Sequence, residues 1–403
     1  MAGSTIDHLI SVTVFLGAML IFISLFNQTL QTAILYQRHS ALATKCSDLL
    51  DNMLLNPGIP EDWGKSDVTP VGFGLQDPEF TQYRLSPFSL MRLRSSVGEP
   101  VYYPRTGLTY SNITMGLGNF LLVPYSEAIN YSAVAKLLGI NGTYGFQLSI
   151  TPIVTVSIEE IQRKNPLILS VKVTGVNFPL ANAHISYCLL TIPIGGGSGS
   201  YPFYTIDYGT NFTDAQGSVP LSFPYVKQEV SYVFIVYAYL GGLMGMGYYE
   251  HVTYIGSYII PFIDDFAEGR MLIAHSYDVH NDTDTAEITY NATFVVLAED
   301  FTLRSMSVEN STGKLTYGIG WPYAYVTIPK NVRSNPGILV ITYRKSAQET
   351  GVVLMPWGIS SLAFPVVFGG DPTGQEWVAT DIRQVTVNGV AYQAKLALWS
   401  LGG

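Results

Sequence analysis

The densest set of side chains able to hold a metal or move a proton lies in one stretch, His275-Ser276-Tyr277-Asp278-Val279-His280-Asn281-Asp282-Thr283-Asp284. Two imidazoles and three carboxylates within ten residues suit a cation. The mid-loop Gly and closing Glu of an EF-hand are missing, however. The stretch reads as a solvated hairpin loop between strands at 270–275 and 286–298. Glu159-Glu160 and Asp264-Asp265 are adjacent acid pairs. Glycoside hydrolysis needs two carboxyls facing each other across a cleft, whereas neighbours on a strand point to opposite faces. Gly195-Gly196-Gly197-Ser198-Gly199 has no Lys-Ser/Thr after it and no helix, so it reads as a turn rather than a phosphate loop. Met244-Gly245-Met246 reads as strand packing. There is no G-x-S-x-G, no H-E-x-x-H and no Walker loop. Cys46 and Cys188 lie far apart and form no C-x-x-C, so neither a zinc site nor a disulfide scaffold is indicated. The chain is therefore expected not to be an enzyme, with no catalytic residues, no metal and no cofactor.

The elements behind these residues follow from composition. Only 13% of the 403 residues are charged while 48% are hydrophobic. An average soluble domain carries about 25% charge. The 27 Tyr, with many Val, Ile and Thr, favour strands. A net charge of −9 without a basic run excludes nucleic acid as a partner. Residues 9–26, LISVTVFLGAMLIFISLF, carry no charge. As a helix they span about 27 Å, close to the hydrocarbon core of a bilayer. Residues 27–55 contain no Pro or Gly and continue the helix to the Asn56-Pro57-Gly58 breaker. Leu35, Leu42 and Leu49 fall seven apart, with Cys46 and Met53 on the neighbouring row, and form a stripe expected to be buried.

This layout resembles the archaeal type IV pilin-like surface proteins, in which an apolar half-helix and an amphipathic half-helix carry a β-rich head. The resemblance rests on Leu54-Leu55-Asn56-Pro57-Gly58-Ile59-Pro60-Glu61-Asp62-Trp63-Gly64, on Asn130-Tyr131-Ser132 through Gly145-Phe146, and on Arg383-Gln384-Val385-Thr386-Val387-Asn388-Gly389 with Tyr392 and Leu398-Trp399. It implies a single-pass cell-membrane protein. It departs from that family's leader at Gly3, which has no basic neighbour, and leaves cleavage of the leader open.

Eight Asn residues begin N-x-Ser/Thr. Asn27 sits at the membrane edge; Asn112, Asn130, Asn141, Asn211, Asn281, Asn291 and Asn310 are candidate glycosylation sites. They point to an extracytoplasmic, extracellular ectodomain. A short helix is expected over 125–138 with Ser126 as its N-cap and Gly139 as its stop. From 146 onward short alternating runs follow one another, separated by turn clusters. Within them, residues 173–220 resemble Ig-like or carboxypeptidase-regulatory-like modules, with Thr213-Asp214-Ala215-Gln216-Gly217 as a tight turn. Asn388-Gly389 between two alternating runs signals a hairpin.

The expected fold is mainly β with one long N-terminal α-helix, transmembrane and then amphipathic, and two β-sandwich-type domains. The expected division is 1–55 helix, 56–145 irregular segment with a short helix packing on the head, 146–255 Ig-like sandwich and 256–403 second β-domain. Partners are the lipid bilayer and either further copies of the chain or other surface proteins. Three functions stay open: a structural or pilin-like surface protein, an anchored adhesin or ligand receptor, and a surface hydrolase. Exposed Tyr and Trp patches would single out the second, and convergent acids or a nucleophile in one pocket the third.

Overall fold

A computed structural model describes residues 2–65, 68–79, 82–93, 100–115, 118–124, 129–192, 204–253, 258–265, 268–280, 285–298, 300, 302–317, 321–333, 337–346, 349–357, 365–387 and 389–402. The chain is mainly β, with one long apolar N-terminal helix, Ala2–Leu55. That helix has no Pro, and its threonines turn inward on themselves. Thr13 Oγ1 donates to the Leu9 carbonyl and Thr29 Oγ1 to that of Leu25, both at 2.8 Å, so neither hydroxyl needs water. It is the one helix long and apolar enough to cross a membrane among the described residues, and its apolar stretch is wholly uncovered.

The end of the helix packs on a four-stranded sheet of order Val366–Gly369, Tyr144–Pro152, Val390–Ser400, Ala379–Val387. Leu42, Cys46, Leu49 and Met53 enter the same core as Leu396 and Leu398. Leu35 does not: it is 50% exposed. The expected stripe is therefore shorter than its sequence period. Contact with the head begins one turn after Leu35, where His39 stacks on Trp377 at 3.7 Å. Arg383 clamps the junction. It donates to both Asp51 oxygens at 2.9 and 3.1 Å, to Ser47 Oγ at 3.0 Å and to Asp381 at 2.8 Å.

Past Leu55 the chain folds back over this junction. Leu75 N–H donates to the Met53 carbonyl and Gln76 N–H to that of Asn56. The Trp63 indole N–H reaches the carbonyls of Pro57 and Gly74, each at 3.0 Å. Arg92 lies over the same indole at 5.1 Å and donates to the Trp63 carbonyl. Gly58 has φ +94°, and a Cβ there would sit 2.6 Å from the indole nitrogen, so glycine is needed twice over.

Two four-stranded sheets form a sandwich over the 154–251 region. One holds Val154–Gln162, Leu167–Gly175 and Ser218–Phe223, with Phe178–Pro179 at its margin. The other runs Leu243–His251, Ser231–Leu240, His184–Ile192, Thr205–Phe212. The uncharged, aromatic-rich run Ser231–Leu240 is explained by burial on both faces. Tyr232, Phe234 and Val236 point into the sandwich core, and Val233, Ile235 and Tyr237 into the core shared with the rest of the head.

The remaining strands make a ten-stranded sheet in the order Pro100–Tyr103, Leu108–Met115, Gly118–Pro124, Ile259–Asp265, Arg270–His275, Tyr323–Thr327, Leu303–Leu315, Ile288–Leu297, Gly337–Arg344, Thr350–Trp357. The last strand lies against Gly118–Pro124 and Ile259–Asp265, so the sheet curls back on itself.

Strand pairing departs from the expected division of the chain. The run 146–158 is two strands broken at Ile153, whose N–H donates to the Ala391 carbonyl. Its first half pairs with the C-terminal hairpin rather than with the sandwich. Within the segment 56–145, where short strands near 101–103 and 120–123 are expected in otherwise irregular chain, Pro100–Tyr103, Leu108–Met115 and Gly118–Pro124 pair in series, and the last joins Ile259–Asp265, a strand beyond 255. Alternation marks a strand but does not choose its partner. The short helix is Tyr131–Leu137, capped by Asn130, whose Oδ1 accepts from Ser132 N–H at 2.9 Å. Ser126, expected as the cap, lies outside the described residues. Gly139, at φ +67°, ends it as its position predicts.

Candidate functional site: an aromatic and arginine face

Tyr323 and Tyr325 alternate on the strand Tyr323–Thr327 and share one face of the large sheet, and Trp321 lies just before that strand, across a bend at Pro322. Their rings follow one another at centroid distances of 6.3 and 5.8 Å, each turned edge-on to the next. Trp321 is 71% exposed and Tyr325 38%; Tyr323 is half-buried against a small core of Tyr103, Phe262, Leu272 and Ala274. Two backbone bonds hold the approach to this row. Thr316 N–H donates to the Trp321 carbonyl at 3.0 Å, and His275 N–H to that of Pro322 at 2.8 Å. Tyr277 and the exposed Tyr317 pair edge to face at 5.2 Å beside it.

Two arginines lie on these rings. The Arg105 guanidinium sits 5.6 Å from the Tyr323 ring centre, and that of Arg270 sits 5.5 Å from the Tyr325 ring centre. Arg105 donates to both oxygens of Asp278, Nε at 2.6 Å and Nη2 at 2.7 Å, and Tyr103 OH donates to the same carboxylate at 2.7 Å. Arg270 Nε donates to Asp264 at 2.6 Å. Burial works to raise the Asp278 carboxyl, but the bonds from Arg105 and Tyr103 outweigh it and hold it below the ordinary aspartate range. Burial and the bond to Asp278 push the Tyr103 hydroxyl far up, so it stays a donor.

The expected His275–Asp284 loop is thus not a solvated hairpin. Ser276–His280 forms a five-residue helix and His275 is fully buried. His275 Nδ1 accepts from Tyr277 N–H at 3.3 Å, so Nε2 carries the proton and donates to the Ala286 carbonyl at 3.0 Å. Both ring nitrogens are spent on the fold, and Asp278 is spent on Arg105. Residues 281–284 lie outside the described residues. No group of three His, Cys, Asp or Glu side chains converges to hold a metal among the described residues. Asp264 and Asp265 sit at a register shift of their strand and go to different partners, the first accepting from Arg270 Nε and the second from Glu268 N–H.

A second polar cluster ties the two sheets of the sandwich. Glu160 receives Arg163 Nε at 2.9 Å and the Tyr232 hydroxyl, and His251 Nδ1 lies 3.7 Å from it. His251 also stacks on Tyr232 at 5.3 Å, with Glu229 3.6 Å from its Nε2. Burial acts to raise Glu160, and the bonds from Tyr232 and Arg163 outweigh it and lower it. No cleft with opposed carboxyls arises here, since the acids are held by their own basic partners. Met244 and Met246 are buried core residues. Burial and the nearby Asp381 raise the Cys46 thiol to about 11, and burial raises Cys188 further; both are free, buried and unreactive as nucleophiles.

The sequons differ in access. Asn141, Asn211 and Asn310 are exposed, as is the capping Asn130, and Asn112 is half-buried in its strand. Asn291 is buried within Ile288–Leu297, between Thr312 and Thr342 on the flanking strands. Asn281 lies outside the described residues. The sequence reading missed the aromatic row, although the W-x-Y-x-Y alternation at 321–325 was there to be seen. Its partners Arg105 and Arg270 come from distant segments and have no local signal.

No protein-family model matches this sequence, and no curated protein does. Solved structures that resemble parts of the chain include the trypsin-activated α-2-macroglobulin of Escherichia coli, at 12% identity and TM-score 0.21, covering 58% of this chain and 18% of that one. The D0-D1 domain of intimin is matched at 15% identity and TM-score 0.20 over 55% of this chain and 98% of the other. A tetra-tandem repeat from the extending region of a large adhesion protein is matched at 11% identity and TM-score 0.17, over 62% and 74%. The chain thus spans under a fifth of the macroglobulin, and scores of this size assign neither family nor function.

Proposed function

We propose that this protein is a single-pass, membrane-anchored surface protein whose β head serves recognition and not catalysis. The observation that carries this reading is the division of one unbroken helix. Its first part exposes Leu, Ile and Phe on all sides, and its last part is clamped into the head by Leu42, Leu49, Met53 and Arg383. Free in water, such a rod would present a large apolar surface at great cost; in a bilayer it is at home. Residues 27–38 then hold the head about 18 Å from the hydrocarbon edge. The exposed Trp and Tyr patch favours the receptor or adhesin reading over a purely structural one.

A pilin-like assembly is the second reading. It is favoured by Leu30, Ile34 and Leu35, which lie uncovered between the bilayer span and the head. Protease protection on sealed membranes, with intact-mass and N-terminal analysis of the purified chain, tests both. Protease-accessible heads that stay with carbonate-washed membranes support the anchored reading. Release of the chain by carbonate, or a head protected on the cytoplasmic side, refutes it. A trimmed N-terminus with filaments visible by electron microscopy would favour the assembly reading.

A further inference from the structure

We propose that the face formed by Trp321, Tyr323, Tyr325, Arg105 and Arg270 binds a neutral, extended saccharide chain. This inference rests on the recognition reading above and names the class of ligand for that head.

The three rings follow one another at about 6 Å, each edge-on to the next, so they wall a strip of surface and do not form one flat platform; Trp321 is the ring that stands most open. The C–H face of a sugar ring is apolar and packs on aromatic surface, which Trp321 leaves open, while Tyr325 carries Arg270 and offers its edge. A polyol also needs donors and acceptors fixed at the edges of the stack. Here they are pre-ordered. Asp278 holds the Arg105 guanidinium through two bonds, Asp264 holds Arg270, and each guanidinium rests on a tyrosine. Both arginines keep 44–45% of their side chains exposed, so donors remain for a ligand. A site this rigid loses little freedom on binding.

Charge selects among ligands. Each guanidinium is neutralised by its own carboxylate, and the chain as a whole carries −9. An anionic polymer, whether nucleic acid or acidic polysaccharide, gains nothing from such a face. Tyr, Trp and Arg also suit a protein interface, but Asp is depleted at interface centres, and here each arginine is bound to its own Asp beside the rings. Hydroxyl groups suit these pairs because they both donate and accept.

The test uses the full-length chain in detergent micelles. The probes are cellohexaose, mannohexaose, chitohexaose and maltohexaose, with oligogalacturonate as the anionic comparison. Binding is read by calorimetry and by ligand-observed NMR. At least one neutral hexasaccharide is expected to bind. Trp321→Ala should lower that affinity about tenfold or more, the usual weight of a central aromatic contact, with an unchanged melting temperature because the indole is exposed. Arg270→Lys should weaken binding while keeping the charge, since it removes the planar fork. Trp377→Ala, which alters an exposed Trp on the stalk side, should leave affinity unchanged. Failure of every neutral probe to bind overturns the proposal, as does equal binding by the Trp321→Ala chain or a preference for oligogalacturonate. Self-association of the chain that Trp321→Ala abolishes, without saccharide binding, would make the face a protein contact and also overturns it. Protease protection reads the anchored reading separately: a cytoplasmic head would sink that reading whatever the face binds in micelles.

Discussion

Asp278 shows how a residue that looks like a ligand becomes a support. Its carboxylate takes three bonds, two from Arg105 and one from Tyr103. Asp278→Asn removes the charge that holds Arg105 over Tyr323, and should cost about 1.5–3 kcal/mol, the range for hydrogen bonds to a charged group. Chemical denaturation of both chains measures it. The pH dependence has a definite sign. Asp278 and Glu160 are both held below their ordinary values in the folded head. Their stabilisation is therefore complete above the unfolded carboxyl range, near pH 4, and is lost as pH falls through the lower folded values. The difference in melting temperature between the parent chain and Asp278→Asn should be constant from neutral pH down to about pH 5 and then shrink. A difference that already shrinks at neutral pH would contradict the assignment for Asp278.

At the scale of elements, the junction between helix and head makes the sharpest demands. Leu49 and Leu35 belong to one sequence stripe, but only Leu49 is buried. Leu49→Ala should lower stability by about 2–5 kcal/mol, as buried leucines do, while Leu35→Ala should leave the melting temperature of the head unchanged. Equal effects would mean that something else covers Leu35. Gly58→Ala meets both a positive φ and the Trp63 indole at 2.6 Å, and should destabilise by about 1–3 kcal/mol or more. Thermal melting of the Gly58→Ala chain reads this; an unchanged melting temperature would mean that the turn can relax. The Pro-Gly-x-Pro-x-x-Trp run, which the family resemblance singled out, is in this structure a lock that turns the chain back over the helix end.

For the molecule as a whole, access decides which sequons can carry glycan. With an outside head, peptide mapping by mass spectrometry should find glycan at Asn141 and Asn211, which are exposed. It should find none at Asn291, which is buried within the ten-stranded sheet. Glycan on Asn291 would mean that modification precedes folding of that sheet.

Some of this was legible without coordinates. The helix was, because an unbroken apolar run and the absence of Pro before Asn56-Pro57 are local properties. Most strands were too, because alternation and glycine turns are local, as was the hairpin ahead of Val390. What needed the tertiary structure was every choice between distant segments. Tyr144–Pro152 joins the C-terminal hairpin, Gly118–Pro124 joins Ile259–Asp265, and the leucine stripe stops being buried above Leu42. The aromatic row shows the same limit. Its W-x-Y-x-Y spacing is written in the chain, but the arginines that stack on it arrive from positions 105 and 270, and its openness depends on which neighbours the sheet leaves out. Local pattern determines what a segment is; only the packing of segments far apart in sequence determines what it faces.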